Sequence, residues 1–113
     1  MMRKERTYSR YGLEATQLLG KQVKLGRKQN KWSEVELAER AGISRGTLQK
    51  IERGDPGCAI GLVFEVVALV GVPLFNEDED EGGLSRQHER MDDKLAVLPK
   101  SIHKRRKAVV DDF

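Results

Sequence analysis

The chain has 113 residues, 38% hydrophobic, 5% aromatic and 35% charged, with 21 Lys and Arg against 18 Asp and Glu. That composition fits one small domain of about 60 residues with solvated extensions, and it excludes a two-lobed enzyme. The charge is segregated: residues 1–56 carry 13 basic and 7 acidic side chains, 57–83 carry none and 6, and 84–113 carry 8 and 5, or +6, −6 and +3. A basic first half is the electrostatic footprint of a nucleic-acid binder and also of an ordinary solvated face, so charge alone does not decide between them.

Residues 1–12 hold Arg3, Lys4, Arg6 and Arg10 without apolar periodicity and read as a basic arm, with no apolar core of the kind a signal peptide has. From Leu13 the pattern changes. Leu18, Leu19, Val23 and the Leu25 to Arg27 turn recur at helical spacing, with Lys21, Lys24 and Lys28 on other faces, which predicts a helix to about Gln29. Ser33 with Glu36 three residues later is an S-x-x-E capping box, in which each side chain satisfies a backbone N–H at a helix start. The short helix it opens has Leu37, Ala38 and Ala41 as its apolar face and stops at Gly42, where a positive φ is needed.

Ser44 caps a third helix to about Arg53, with Leu48 and Ile51 facing inward and Arg45, Gly46, Gln49 and Lys50 on the other side. Gly54-Asp55-Pro56-Gly57 ends it. Cys58 follows, the single cysteine; it reads as a small buried residue rather than a thiol switch, and its lack of a partner predicts a reducing, cytoplasmic setting. A fourth helix over about 59–70 is apolar almost all round and needs cover on more than one face. Broken by Glu65, two glycines and Pro73, the apolar stretch 59–75 is unfit for a membrane span. Residues 76–83, NEDEDEGG, read as an acidic linker; Leu84, His88, Met91, Leu95 and Leu98 then repeat at 4-3-4-3 spacing, predicting an accessory helix over 84–98 that must dock on something. Pro99 opens a tail, 99–113, with the basic cluster 104–107.

Two short capped helices joined by a glycine turn make a helix-turn-helix, whose second helix presents its N-terminal side chains to the major groove. Residues 19–75, and above all LAERAGISRGTLQKIERG and the apolar helix ending in ALVGV, resemble the Cro/CI-like (XRE) DNA-binding family over about half of the chain. The resemblance implies an all-α, lambda-repressor-like domain of five helices over 13–75 with a flexible C-terminal extension. The flanking pieces YSRYGLEA, ERGDPG and LPKSIHKRRKAVVDDF resemble the HipB-like antitoxins encoded beside HipA-type kinase toxins.

That resemblance implies a double-stranded operator in the chain's own promoter as partner, a homodimer as binding unit, and a HipA-like kinase toxin or its small subunit as protein partner, with no cofactor and no membrane. Base reading is assigned to Arg45, Gly46, Thr47, Gln49 and Lys50. Arg45 has the fork that pairs with guanine O6 and N7; Thr47 offers a methyl to thymine or a hydroxyl to phosphate; Gly46 removes bulk at the DNA, or is simply a small neutral residue. Ser33, Glu34, Ser44, Arg53, Lys50 and the backbone of 57–59, ending at Ala59, are placed for phosphate contact. Glu34 stands where the family often has a glutamine. A carboxylate repels phosphate, so it either holds Arg45 by a charge-assisted bond or is a solvated helix-start acid. Arg27 and Glu52 match the family's internal ion pair, and Trp32, Leu37, Leu48, Ile51 and Phe64 are expected in the core.

For the dimer, Val67, Val70, Val72 and Leu74 are candidate contacts, although cover by the accessory helix would explain the same apolarity. The basic arm either enters a minor groove or has no function. Catalysis is not supported: His88 lies in a helical stripe and His103 in a basic tail, with no nucleophile motif, metal spacing or phosphate loop near either. Two rival readings stand beside the autorepressor: a mainly protein-binding antitoxin subunit using 84–98 and 108–113, and a stand-alone prophage or restriction-system repressor.

Overall fold

The computed structural model describes residues 6–75 and 82–102. Among them are five helices and no strand: α1 (Arg10–Gln29), α2 (Glu34–Ala41), α3 (Arg45–Arg53), α4 (Ile60–Val70) and α5 (Gly83–Ala96). The chain divides into two compact units, 1–74 and 75–113. Arg3 and Lys4 of the arm, most of the acidic linker, His103, the 104–107 cluster and the 108–113 segment lie outside the described residues.

In the first unit, α1 begins at Arg10 rather than Leu13, so the last part of the predicted arm is helix. Ser9 is its N-cap, its Oγ accepting from the Gly12 N–H at 3.1 Å, and Arg10 Nε pairs with Glu14 Oε2 at 2.8 Å one turn on. This first turn is polar, so hydrophobic periodicity cannot see it. The inner face of α1 is also narrower than expected: Leu19, Gly20, Val23, Gly26 and Arg27 line it, while Leu18 and Leu25 are more than half exposed. Two glycines let neighbouring helices come close. A Cβ at Gly20 would stand 2.6 Å from the carbonyl oxygens of Ile51 and Glu52 on α3, and one at Gly26 would stand 2.9 Å from Val70 Cβ on α4.

Val23, Leu37, Ala38, Leu48, Ile51, Val66, Val67 and Val70 form the core, with contributions from each of α1 to α4, and α1 and α2 each pack on both α3 and α4. Leu37, Leu48 and Ile51 are buried as expected, and Trp32 is partly buried against the core with Arg40 stacked 4.4 Å from its ring centre. Phe64 is a correction: it is 38% exposed and lies outside the core. Of the candidate dimer contacts, Val67, Val70 and Val72 are taken up by the unit's own core, while Leu74 is exposed. Val67 and Val70 are buried within the unit because they fall on the helix face that meets α1 and α2, and Val72, just past the helix end, packs on the core. The exposed apolar residues of α4 are Ile60 and Phe64 toward one side and Leu62 and Leu69 toward the other, with Leu74 exposed beyond the helix.

In the second unit, α5 follows Gly82, at φ 96°, and gives way to a turn in which the Leu98 N–H donates to Leu95 O at 3.1 Å. The 84–98 stripe is thus helical only to Ala96. None of α5 is buried; Leu84, Met91 and Leu95 are all exposed, as is Leu98.

Candidate nucleic-acid interface

Local hydrogen bonding explains why α2 and α3 lie where they do. Ser33 accepts from the Glu36 N–H at 3.1 Å while Glu36 Oε1 accepts from the Ser33 N–H at 2.8 Å, so both sides of the capping box are made. The Ser33 backbone N–H first, and the Ser33 side chain second, hold the Glu36 carboxyl below the usual carboxylate range. Gly42 closes α2 at φ 71°, a left-handed conformation costly for a residue with a Cβ, and the Ile43 N–H turns back to Ala38 O at 3.0 Å. Ser44 then caps α3, accepting from the Thr47 N–H at 3.0 Å and donating to Thr47 Oγ1 at 3.0 Å.

The cap delivers Arg45 as the first residue of α3, fully at the surface, with Gly46 beside it. Glu34, the first residue of α2, reaches across the turn. Its Oε1 accepts from Arg45 Nε at 2.9 Å and from Gln49 Nε2 at 3.1 Å, so one carboxylate oxygen joins two residues of α3. Those two donors, Arg45 first, hold the Glu34 carboxyl below its ordinary range. The two Nη groups of Arg45 make no hydrogen bond among the described residues and are free to meet a planar acceptor pair. Lys50 and Arg53 are exposed on the same helix, whereas Thr47 is half-buried with its hydroxyl engaged in the cap.

Behind this surface the Arg27–Glu52 pair is closed on both sides. Arg27 Nε donates to Glu52 Oε2 at 2.7 Å and Nη2 to Oε1 at 3.1 Å, while Nη1 donates to Trp32 O at 3.1 Å. The side chains are 8% and 6% exposed. The Glu52 hydrogen bonds raise the Arg27 pKa against the opposing effect of burial, so the fork stays charged and ties α1, α3 and the 30–32 connection together.

Of the predicted phosphate contacts, Ser33 and Ser44 sit at the N-termini of α2 and α3, Arg53 at the end of α3, and Ala59 at the start of α4, which no side chain caps. Glu34 is the exception: its side chain carries no donor for phosphate and is engaged with α3. The Gln49 contact has no sequence signal, because the two residues stand 15 apart and meet only through the turn. On the far side, an apolar cleft lined by Thr16, Leu19, Ile51, Cys58, Ile60 and Val63 holds the single thiol. Burial first, and Asp55 second, pushes that thiol up, the opposite of what activates a cysteine nucleophile.

Residues 23–74 match the family described as Helix-turn-helix. They hold the helix-turn-helix, α2 and α3 joined by the Gly42 turn. Within the matched residues, α3 is the second helix of the helix-turn-helix. Comparison with curated proteins gives no match. Among solved structures the chain is similar to a singly substituted HipB in complex with an O2 20mer, at 24% identity and a TM-score of 0.49, over 67% of this chain and 97% of that one. No helix among the described residues is long and apolar enough to cross a membrane. Nor, among the same residues, does any group of three or more His, Cys, Asp and Glu stand where it could hold a metal ion.

Proposed function

We propose that the chain is a sequence-specific transcriptional repressor that binds as a homodimer to an operator in its own promoter, and that it is the antitoxin and autoregulator of a HipA-like kinase toxin. The observation that carries the DNA-reading part is the presentation of Arg45, capped into place by Ser44 and gripped through Nε by Glu34, with its Nη edge unoccupied. In that role Arg45 bonds guanine O6 and N7, Lys50 reaches a neighbouring base or phosphate, and Gly46 and the Thr47 methyl let the helix seat closely. Ser33, Ser44, Arg53 and the open N–H groups after Ala59 bind phosphates and set register. Repression is steric: a protein on its own promoter excludes polymerase.

A single unit makes too few base contacts for selective binding, and the exposed Leu62 and Leu69, two turns apart on one side of α4, give a second copy an apolar surface to cover. The toxin partner is supported by the flanking sequences that resemble HipB-like antitoxins. A second reading, in which the chain is mainly a protein-binding subunit and DNA binding serves only autoregulation, is favoured by the exposed apolar stripe of α5.

Purification of the tagged full chain from its native host at moderate salt, with protein and DNA identified in one sample, tests these readings. The expected result is a kinase-like partner together with the chain's own promoter. Promoter DNA without a protein partner overturns the toxin connection and leaves a stand-alone repressor; a partner without promoter enrichment favours the protein-binding reading. Deleting 99–113 is then expected to weaken toxin association and spare operator binding.

A further inference from the structure

The carboxylate of Glu34 lies at the surface that, on the reading above, faces DNA, where a negative charge weakens attraction to phosphate. It is 29% exposed, close to the first turn of α3, and one oxygen takes both the Arg45 Nε–H and the Gln49 amide N–H. An ionised carboxylate has no proton to donate, so it fixes Gln49 with its amide nitrogen toward Glu34 and fixes Arg45 with Nε inward. Two consequences follow from chemistry alone. Arg45 can approach a base only through its Nη1 and Nη2 edge, the edge that matches guanine O6 and N7. Its charge is also cancelled by Glu34, so the tip of the reading helix adds little to sequence-independent attraction for the backbone.

We infer that Glu34 is a specificity-determining positioning residue: by neutralising and orienting Arg45, with Gln49 as the second tether, it gives up general DNA affinity and sharpens the choice of guanine. The inference deepens the DNA-reading proposal and rests on it. A merely structural Glu34 would alter folding or weaken all binding alike. A neutralising Glu34 makes the opposite prediction for random DNA, where its removal strengthens binding.

Selection of the full chain on a randomised duplex library, followed by salt titrations of the selected site, a version with the guanine replaced, and random DNA, separates these cases. Glu34→Gln keeps the shape of the side chain and removes the charge. It is expected to bind random DNA more tightly, to steepen the slope of log affinity against log salt by about 0.9, and to lower the preference for guanine about tenfold. Gln49→Leu keeps the Glu34–Arg45 charge pair and loses one tether; it is expected to lower the guanine preference with the salt slope unchanged. An unchanged guanine preference in Glu34→Gln overturns the inference, and so does weaker binding of that variant to random DNA. If the unsubstituted chain selects no site at all, the DNA-reading proposal itself falls, and this inference with it.

Discussion

Gly46 sits inside the first turn of α3 at an ordinary helical φ, and a Cβ there would meet nothing nearer than Ser44 Oγ at 3.9 Å. The fold therefore does not require it, and as a poor helix former it costs stability. Gly46→Ala is expected to raise stability by about 0.5–1 kcal/mol, read as a higher melting temperature, while DNA binding weakens because the new methyl stands between helix and bases. Arg45→Ala is expected to leave melting unchanged and to lose about 1–3 kcal/mol of discrimination at one base, measured by competition between the selected site and its single-base variants. At this scale the short-range features were readable in advance. Ser33 with Glu36, Gly42 and Ser44 announce helix ends through residues three or fewer apart, and the structure makes each of those bonds. The Glu34–Gln49 bond was not readable, since nothing local distinguishes a glutamine that points at α2 from one that points at solvent.

Between elements, the bond that matters most is Arg27–Glu52, which joins α1 to α3 from behind the reading face. Glu52→Ala strands a buried guanidinium and is expected to cost about 3–5 kcal/mol, a large share of a small domain's stability. Replacing both residues by apolar ones of similar volume is expected to cost far less, because no charge is then left unpaired. Urea denaturation of the two variants checks both. Gly20→Ala is expected to destabilise as well, since its Cβ would press on the backbone of α3 at 2.6 Å. On α2, Glu34 and Glu36 both titrate below the ordinary carboxylate value in the folded chain. Their stabilisation is therefore complete above the unfolded value of about 4.3 and is lost as pH falls through the lower native values. Melting temperature is expected to hold between pH 7 and about 5 and to drop below about pH 4, with a shallower drop in Glu36→Gln. The existence of α1 to α5 was readable from apolar spacing, caps or all-round apolarity, but the five helices expected within 13–75 are four, α1 to α4, and the inner face of α1 was not readable. Its contact points are glycines, which hydrophobic periodicity ignores, so the exposed Leu18 and Leu25 looked as inward as Val23.

For the whole molecule, the −6 of residues 57–83 lies next in sequence to the +6 of residues 1–56. DNA affinity is therefore expected to fall steeply with salt, as it does for any protein that displaces counterions from phosphate. The all-round apolarity of α4 signalled a helix covered on more than one side, but a sequence cannot say which row meets its own core and which meets a neighbour. The structure divides them: Val66, Val67 and Val70 face inward, while Ile60, Leu62, Phe64 and Leu69 are exposed around the rest of the helix. Leu62→Asp with Leu69→Lys is expected to leave the fold intact and to abolish cooperative operator binding, as sedimentation and gel-shift titration of the same samples would record. The central claim is that α3 of this chain reads a specific sequence in its own promoter. Its most direct test is competition at about 0.15 M salt between the promoter fragment and a shuffled duplex of equal length and composition for the full chain. The account predicts a preference for the promoter of at least about a thousandfold, collapsing toward unity in Arg45→Ala. Equal affinity for the two duplexes, or a preference indifferent to Arg45→Ala, would contradict it.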